Sequence, residues 1–253
     1  MVDLGPNESN NVGLRDAAVH GWFDFDRGLL YPDFVVDAHD VVADIGCGDG
    51  GAAMFCARRG ARVLLADVDL PRLDAAYHRL DSIAPGRISA HPVQGAPVPL
   101  EDGCATRIIC TEVIEHVEDP KFLLAELFRI GRPGALLLLS CPDPRAEAVQ
   151  QKLAPPAYFE RPNHIRILQS DELKALAEEA GFVIRRASSY GFYWAVWWSL
   201  FWTTGQEFGA RNEVLDHWAR AWHGILDSEG GPRVQKVMDE VLPKSQVLVC
   251  QKP

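Results

Sequence analysis

The chain has 253 residues, 47% of them hydrophobic, and a formal charge of −10. This length holds one large domain, or one domain with an insertion, and excludes two independent domains. The negative balance leaves no basic footprint for long nucleic acids or anionic membranes, so a small neutral or cationic partner fits more easily.

Residues 1 to about 12 are polar and rich in Asn and Gly, and are expected to be disordered until a ligand or neighbouring chain orders them. Residues 14–37 read as one or two helices leading into the first strand. No signal-peptide pattern opens the chain, and no run reaches the ~20 apolar residues that cross a bilayer, so a soluble cytoplasmic protein is expected. From Val41 onward, apolar strand-like runs at 41–46, 62–67, 88–93, 106–111 and 135–141 alternate with helical stretches at 50–59, 71–82, 113–117 and 120–130. That alternation predicts an α/β fold with a mostly parallel sheet covered on both faces. Ser170-Asp171-Glu172-Leu173 opens a further helix that Gly181 stops; strands at 183–189 and Gln246–Gln251 close the chain. The six cysteines, Cys47, Cys56, Cys104, Cys110, Cys141 and Cys250, form no CxxC pair and read as reduced core residues.

The divisions expected are an N-terminal segment (1–37), a ligand-binding α/β domain (38–190), an insertion (191–245) and the last strand (246–253). The insertion holds six of the seven tryptophans: Trp194, Trp197, Trp198, Trp202, Trp218 and Trp222. Its apolar run Phe192 to Trp202 is too short to span a membrane. A buried packing or homodimer surface, an acceptor lid of flat aromatic faces, and an interfacial membrane contact are the three readings.

The chemistry begins in the run Val41 to Gly51. A buried strand feeds a turn in which Gly46 and Gly48 permit positive φ and close approach of a ligand. A helix is expected to start near Asp49. Asp67, at the tip of the next strand, is placed to accept both hydroxyls of a ribose. Gly46, Gly48 and Gly51 also satisfy the dinucleotide pattern G-x-G-x-x-G, but Asp44 and Asp49 put negative charge where a pyrophosphate would sit. Such a turn suits a ligand with a cationic end.

In these residues the chain resembles the class I S-adenosylmethionine-dependent methyltransferases, whose first motif is similar to Asp44-Ile-Gly-Cys-Gly-Asp-Gly50 and whose second strand ends in an acid like Asp67. The resemblance implies a Rossmann-like seven-stranded sheet whose final strand runs antiparallel to the rest. It also implies S-adenosyl-L-methionine as cosubstrate, bound by Asp44, Gly46, Cys47, Gly48, Asp67, Val68, Gln94, Gly95 and Thr111. Gln94 stands where family members commonly carry an acid at the adenine edge, and Thr106 replaces the usual aspartate opening the fourth strand.

After the fourth strand, Glu112, Glu115 and His116 stand at i, i+3 and i+4, on one face if the segment is helical. Two carboxylates and an imidazole there can grip a divalent ion. The Glu-x-x-Glu-His pattern resembles metal-dependent O-methyltransferases, including those of ubiquinone biosynthesis, and that resemblance implies His164 as a fourth ligand and Mg2+ or another divalent metal. In many family members without a known metal the same residues are structural. His164, His116 or Asp143 would serve as base; for Asp143, between two prolines, a turn role is the alternative.

The function expected is O-methylation of a small hydroxylated acceptor, most readily a saccharide or glycosylated metabolite, with a divalent metal assisting. The alternatives are a metal-free methyltransferase acting on a carbon, phenol or amine, and a non-catalytic protein that binds the cofactor.

Overall fold

The computed structural model describes residues 8–94, 97–205, 210 and 212–253. Helix α1 (Glu8–His20) ends at Gly21, where φ reaches 105°. The expected disorder is corrected from residue 8 onward, because Val12 is buried in an aromatic cluster that anchors α1; residues 1–7 lie outside the described residues. The expectation of helix up to residue 37 is also corrected. Residues 29–35 form a hairpin of β1 (Leu29–Tyr31) and β2 (Phe34–Val35). Pro32 and Asp33 supply its turn, Asp33 taking a φ of 69° that Asp tolerates better than most residues.

The main sheet contains β3 (Val41–Ile45), β4 (Arg62–Asp67), β5 (Ile88–Pro92), β6 (Ala105–Thr111), β7 (Gly131–Pro142), β8 (Val183–Tyr190) and β9 (Ser245–Gln251), in the order β5-β4-β3-β6-β7-β9-β8. β9 pairs antiparallel with both neighbours, and the other pairings are parallel. This is the Rossmann-like architecture expected. Its strands read as continuous apolar runs because they are covered on both sides. Ala43, Leu64, Ile108 and Leu137 enter one core, with Leu124, Leu127 and Leu173 from the helices. Their neighbours along the strands, Val42, Leu65, Ile109 and Leu138, enter the other, with Phe55, Leu73 and Leu80.

The covering helices are α2 (Gly51–Arg58), α3 (Leu70–Asp81), α4 (Pro120–Ile130), α5 (Pro144–Leu153) and α6 (Ser170–Glu179). Three of them start on one device, an aspartate N-cap followed by proline in the first turn: Asp69, Asp119 and Asp143 each accept a first-turn amide. The chain passes outward from β3 through β4 to β5, then returns to β6 on the other side of β3. The crevice beyond the C-terminal ends of β3 and β6 is therefore the switch point where ligands bind in such sheets.

The insertion forms α7 (Phe192–Thr204), α8 (Glu213–Asp227) and α9 (Gly231–Val241), packed with α1. Tyr193, Trp197, Phe201 and Trp222 are buried among one another. Trp222 Nε1 donates to Asp16 Oδ1 at 2.7 Å, and Gln235 Nε2 to the same oxygen at 2.8 Å. A Cβ on Gly13 would come within 2.3 Å of the Trp194 ring, so the missing side chain is what lets α1 lie against α7. No helix among the described residues is long and apolar enough to cross a membrane.

Candidate active site

Gly46, Gly48 and Gly50 all take positive φ, at 71°, 49° and 70°. A Cβ at Gly46 would stand 2.3 Å from Val113 Cγ2, while one at Gly48 would meet nothing within 4 Å. The first glycine is thus needed for the turn to pass under the loop after β6, and the second leaves one side of the turn open. Gly46 N and Cys47 N donate to Ala66 O, and Gly48 N donates to Asp67 Oδ2 at 2.7 Å. The other Asp67 oxygen accepts from Asp69 N at 2.8 Å. Asp67 therefore fixes the turn while keeping lone pairs for a ligand, since an ionised carboxylate accepts about four hydrogen bonds.

The helix expected to begin near Asp49 begins at Gly51, with Gly50 as its left-handed N-cap; Asp49 is exposed and precedes it. No acidic residue lies in the first turn of α2. The negative charge at this helix end comes instead from Asp44, which is 3% exposed and accepts from the Ala53 amide. Burial, opposed by that amide and reinforced by Asp67, pushes the Asp44 carboxyl up to about 7. Burial and the same two aspartates push the Cys47 thiol up to about 12, so it stays a neutral thiol. Val68 is 72% exposed beside Asp67, and Gln94 is exposed just past β5. Thr111 ends β6, half-buried; Gly95 lies outside the described residues.

The segment after β6 is not the helix expected over 113–117 but a run of turns. Glu112 adopts φ 55°, a conformation that costs a non-glycine residue of order 1 kcal/mol or more. It leaves the strand toward β7 and β9, where Glu112 Oε1 accepts from Ser140 Oγ at 3.0 Å and Oε2 contacts Lys244 Nζ at 2.8 Å. Burial pushes the Glu112 carboxyl up, but Lys244 and the hydrogen bonds from Ser140 and Ser245 together hold it below the ordinary value. The helical argument for Glu112 as a ligand is thereby corrected. The turns still bring Glu115 and His116 to His164, and one ligand atom from each lies within 4.8 Å of the others.

Two loops are stitched together to make this cluster. Ile165 N donates to Glu115 O, and Arg166 Nη2 donates to the carbonyls of Val117 and Glu118. His116 Nδ1 lies 3.1 Å from Pro162 O and 2.9 Å from Asn163 O. Carbonyl oxygens only accept, so Nδ1 carries the proton and Nε2 presents a lone pair in the neutral ring. His164 Nδ1 lies 3.1 Å from Glu147 Oε2, and Tyr158 Oη donates to Glu147 Oε1 at 3.2 Å. Glu147, on α5 and 1% exposed, thus orients His164 as carboxylates orient imidazole bases and ligands. Glu115 is 2% exposed and neither of its carboxylate oxygens has a hydrogen-bond partner. Burial, then the charge of Glu112, pushes its carboxyl well above the ordinary range.

Asp143 does not join this group. It is fully buried as the N-cap of α5 and accepts from Arg145 N, Nε and Nη2 at 2.8–2.9 Å, which fits the turn role named as its alternative. Trp202 is the tryptophan that reaches the site's rim: its ring stands 5.4 Å from Tyr158, and its Nε1 donates to Gln150 Oε1 at 2.7 Å.

A family model described as a methyltransferase domain matches residues 31–187. A probable S-adenosylmethionine-dependent methyltransferase from Mycolicibacterium smegmatis is 33% identical over 146 residues, 56% of this chain and 52% of that one, so the chain spans about half the length of that relative. A ubiquinone biosynthesis O-methyltransferase from Chromobacterium violaceum is 28% identical over 198 residues, 68% of this chain and 82% of the other. Among solved structures, a geranyl diphosphate methyltransferase in complex with SAM aligns with TM-score 0.61 at 14% identity, covering 99% of this chain and 93% of that one. The [4+2]-cyclase SpnF aligns at 0.58 and 14%, covering 98% and 80%. Proteins as different as a methyltransferase and a [4+2]-cyclase share this fold, so the fold alone does not choose a chemistry.

Proposed function

The chain belongs to the methyltransferase-domain family, and from that premise we propose that it transfers the methyl group of S-adenosylmethionine to a hydroxyl of a small acceptor, with a divalent metal assisting. The observation that carries the metal is the buried Glu115 carboxylate: both oxygens lack a donor, and His116 and His164 stand beside it. Buried carboxylates without partners are costly, so an arrangement of this kind fits a cation. With one carboxylate and two imidazoles, the set suits Mn2+, Fe2+ or Zn2+ as well as Mg2+.

The glycine turn, Asp44 and Asp67 would hold the cofactor, Asp67 at the ribose and Asp44 near its cationic amino-acid end. Glu115, His116 and His164 would hold the metal. The chemistry a divalent ion would supply there is Lewis-acid activation of the acceptor hydroxyl. The hydroxyl oxygen forms its bond to the methyl carbon as the carbon–sulfur bond breaks, and the hydroxyl proton leaves. With a metal held there, His164 Nε2 would serve as a ligand and that proton would pass to solvent; without a metal, His164 Nε2, held in the accepting tautomer by Glu147, would take it. Tyr158 and Trp202 would flank the acceptor. The enzyme's main contribution would be alignment, since transfer from a sulfonium is intrinsically favourable.

For the acceptor, the acidic chain and the Tyr158–Trp202 rim suit an uncharged polyhydroxylated molecule such as a saccharide or glycosylated metabolite. A phenolic acceptor is the second reading, favoured by the ubiquinone biosynthesis relatives. A panel of saccharides, catechols and amines, run with labelled S-adenosylmethionine in Mn2+, Mg2+ or EDTA, separates them. Methylation of a diol that EDTA abolishes and Mn2+ or Mg2+ restores is the expected result. Full activity in EDTA would remove the metal, and turnover confined to amines or ring carbons would remove the hydroxyl.

A further inference from the structure

Lys244 ends the loop between α9 and β9 and lies at the same edge of the sheet as Glu115, because β9 runs antiparallel and so starts where the parallel strands end. Its side chain is 16% exposed and its ammonium sits 2.8 Å from Glu112, whose other oxygen takes the Ser140 hydroxyl. The chain spends a left-handed residue at Glu112 to make this contact. The backbone around Lys244 is fixed too, since its carbonyl accepts from Asp143 N at 2.9 Å and a Cβ on Gly191 would press to 3.1 Å against the Lys244 Cβ. Glu112 opens the same turn segment that carries Glu115 and His116, and is the carboxylate that Lys244 keeps occupied.

We propose that Lys244 is a resident cation that withholds Glu112 from the metal, so that the site binds a divalent ion with three protein ligands and a charge-neutral neighbour. This inference rests on the metal reading above and makes Lys244 a positioning residue: it touches Glu112, not the reacting atoms. The pair sets how tightly the ion is held. Removing the lysine would free a carboxylate next to the cluster, whereas removing the carboxylate would leave an unneutralised cation there. The two changes act in opposite directions and cancel when combined.

The test is Mn2+ affinity, read by electron paramagnetic resonance of free Mn2+ or by calorimetry on the full chain without acceptor. Lys244→Met should bind Mn2+ about tenfold or more tightly than the unaltered chain, Glu112→Gln should bind it about tenfold more weakly, and the double variant should return to within about threefold. If Lys244→Met is too unstable to purify, Glu112→Gln against the double variant carries the same test, because the double variant leaves no unpaired charge. Unchanged or weaker binding by Lys244→Met, or a double variant no better than Glu112→Gln, overturns the proposal. Failure of the metal reading looks different: the unaltered chain then binds no Mn2+. If it binds none while Lys244→Met does, the metal reading and the three-ligand site both fall and the lysine is a block rather than a tuner; if neither binds, both readings fall as well.

Discussion

Asp67 and Glu115 are both nearly buried carboxylates at the same edge of one sheet, yet Asp67 receives two backbone amides while neither oxygen of Glu115 receives any. The cofactor end is organised before any ligand arrives: its acid is already holding the turn that would hold the ligand. The acceptor end is organised around an unmet demand, with the imidazoles oriented from behind by carbonyls and by Glu147, and the central carboxylate left open. Changes at the first end should therefore disturb binding, and changes at the second should disturb chemistry.

The largest effect expected is at Asp67. Asp67→Ala removes the acceptor for Gly48 N and Asp69 N as well as the ribose contact. Charge-assisted hydrogen bonds contribute roughly 1.5–3 kcal/mol each, so affinity for S-adenosylhomocysteine should fall by about 100-fold or more, measured by calorimetry. Affinity kept within about fivefold would mean that the turn does not depend on this carboxylate, and the contrast would collapse.

Glu147→Gln probes the other end. A glutamine that accepts from Tyr158 turns its amide toward His164 Nδ1, which forces the proton to Nε2 and removes the lone pair from the site. Loss of such an orienting partner typically costs about 10- to 100-fold, so kcat should drop by that factor while cofactor affinity stays within about twofold. Nitrogen chemical shifts of His164 would report the tautomer directly; an unchanged tautomer with unchanged kcat would show that Glu147 only fills space.

The same contrast governs what was legible in the sequence. The cofactor end is local: Gly46, Gly48 and Asp67 lie on two consecutive strands, and the apolar runs that bury β3 and β4 are continuous. The helix at 120–130 was equally readable, whereas α5 was not, because Asp143 between two prolines also reads as a turn. The hairpin at 29–35 was not, because strands of three and two residues are too short to show a period. The segment 113–117 misled because Glu-x-x-Glu-His has helical spacing, whereas the positive φ of Glu112 turns the backbone at the strand end. Glu147 and Lys244 escaped notice for a different reason. A single Glu in α5 or Lys before β9 reads as a solvated residue, and each is buried only because segments distant in sequence, Tyr158 to His164 and Glu112, close over it.

The smallest effect, and the one that reads the cofactor end most finely, is the pH response of Asp44. Its carboxyl is raised to about 7 from an ordinary 3.8, chiefly by burial. The folded chain therefore binds a proton that the unfolded chain has released between about pH 4 and 7, and the linkage sign follows: the stability this group contributes is full below about 4 and is lost as pH rises through 7. The ligand-free protein should accordingly melt at lower temperature at pH 8 than at pH 5.5, and Asp44→Asn should flatten that slope. Cofactor binding should run the other way. A cationic amino group favours the ionised carboxylate, so affinity should rise by up to about tenfold between pH 6 and 8 in the unaltered chain and much less in Asp44→Asn. Opposite slopes for stability and binding that vanish together in one variant would identify Asp44 as a group kept costly in the empty site because its charge is needed in the filled one. Parallel slopes, or slopes the variant retains, would assign the titration to another residue and leave Asp44 only its bond to the Ala53 amide.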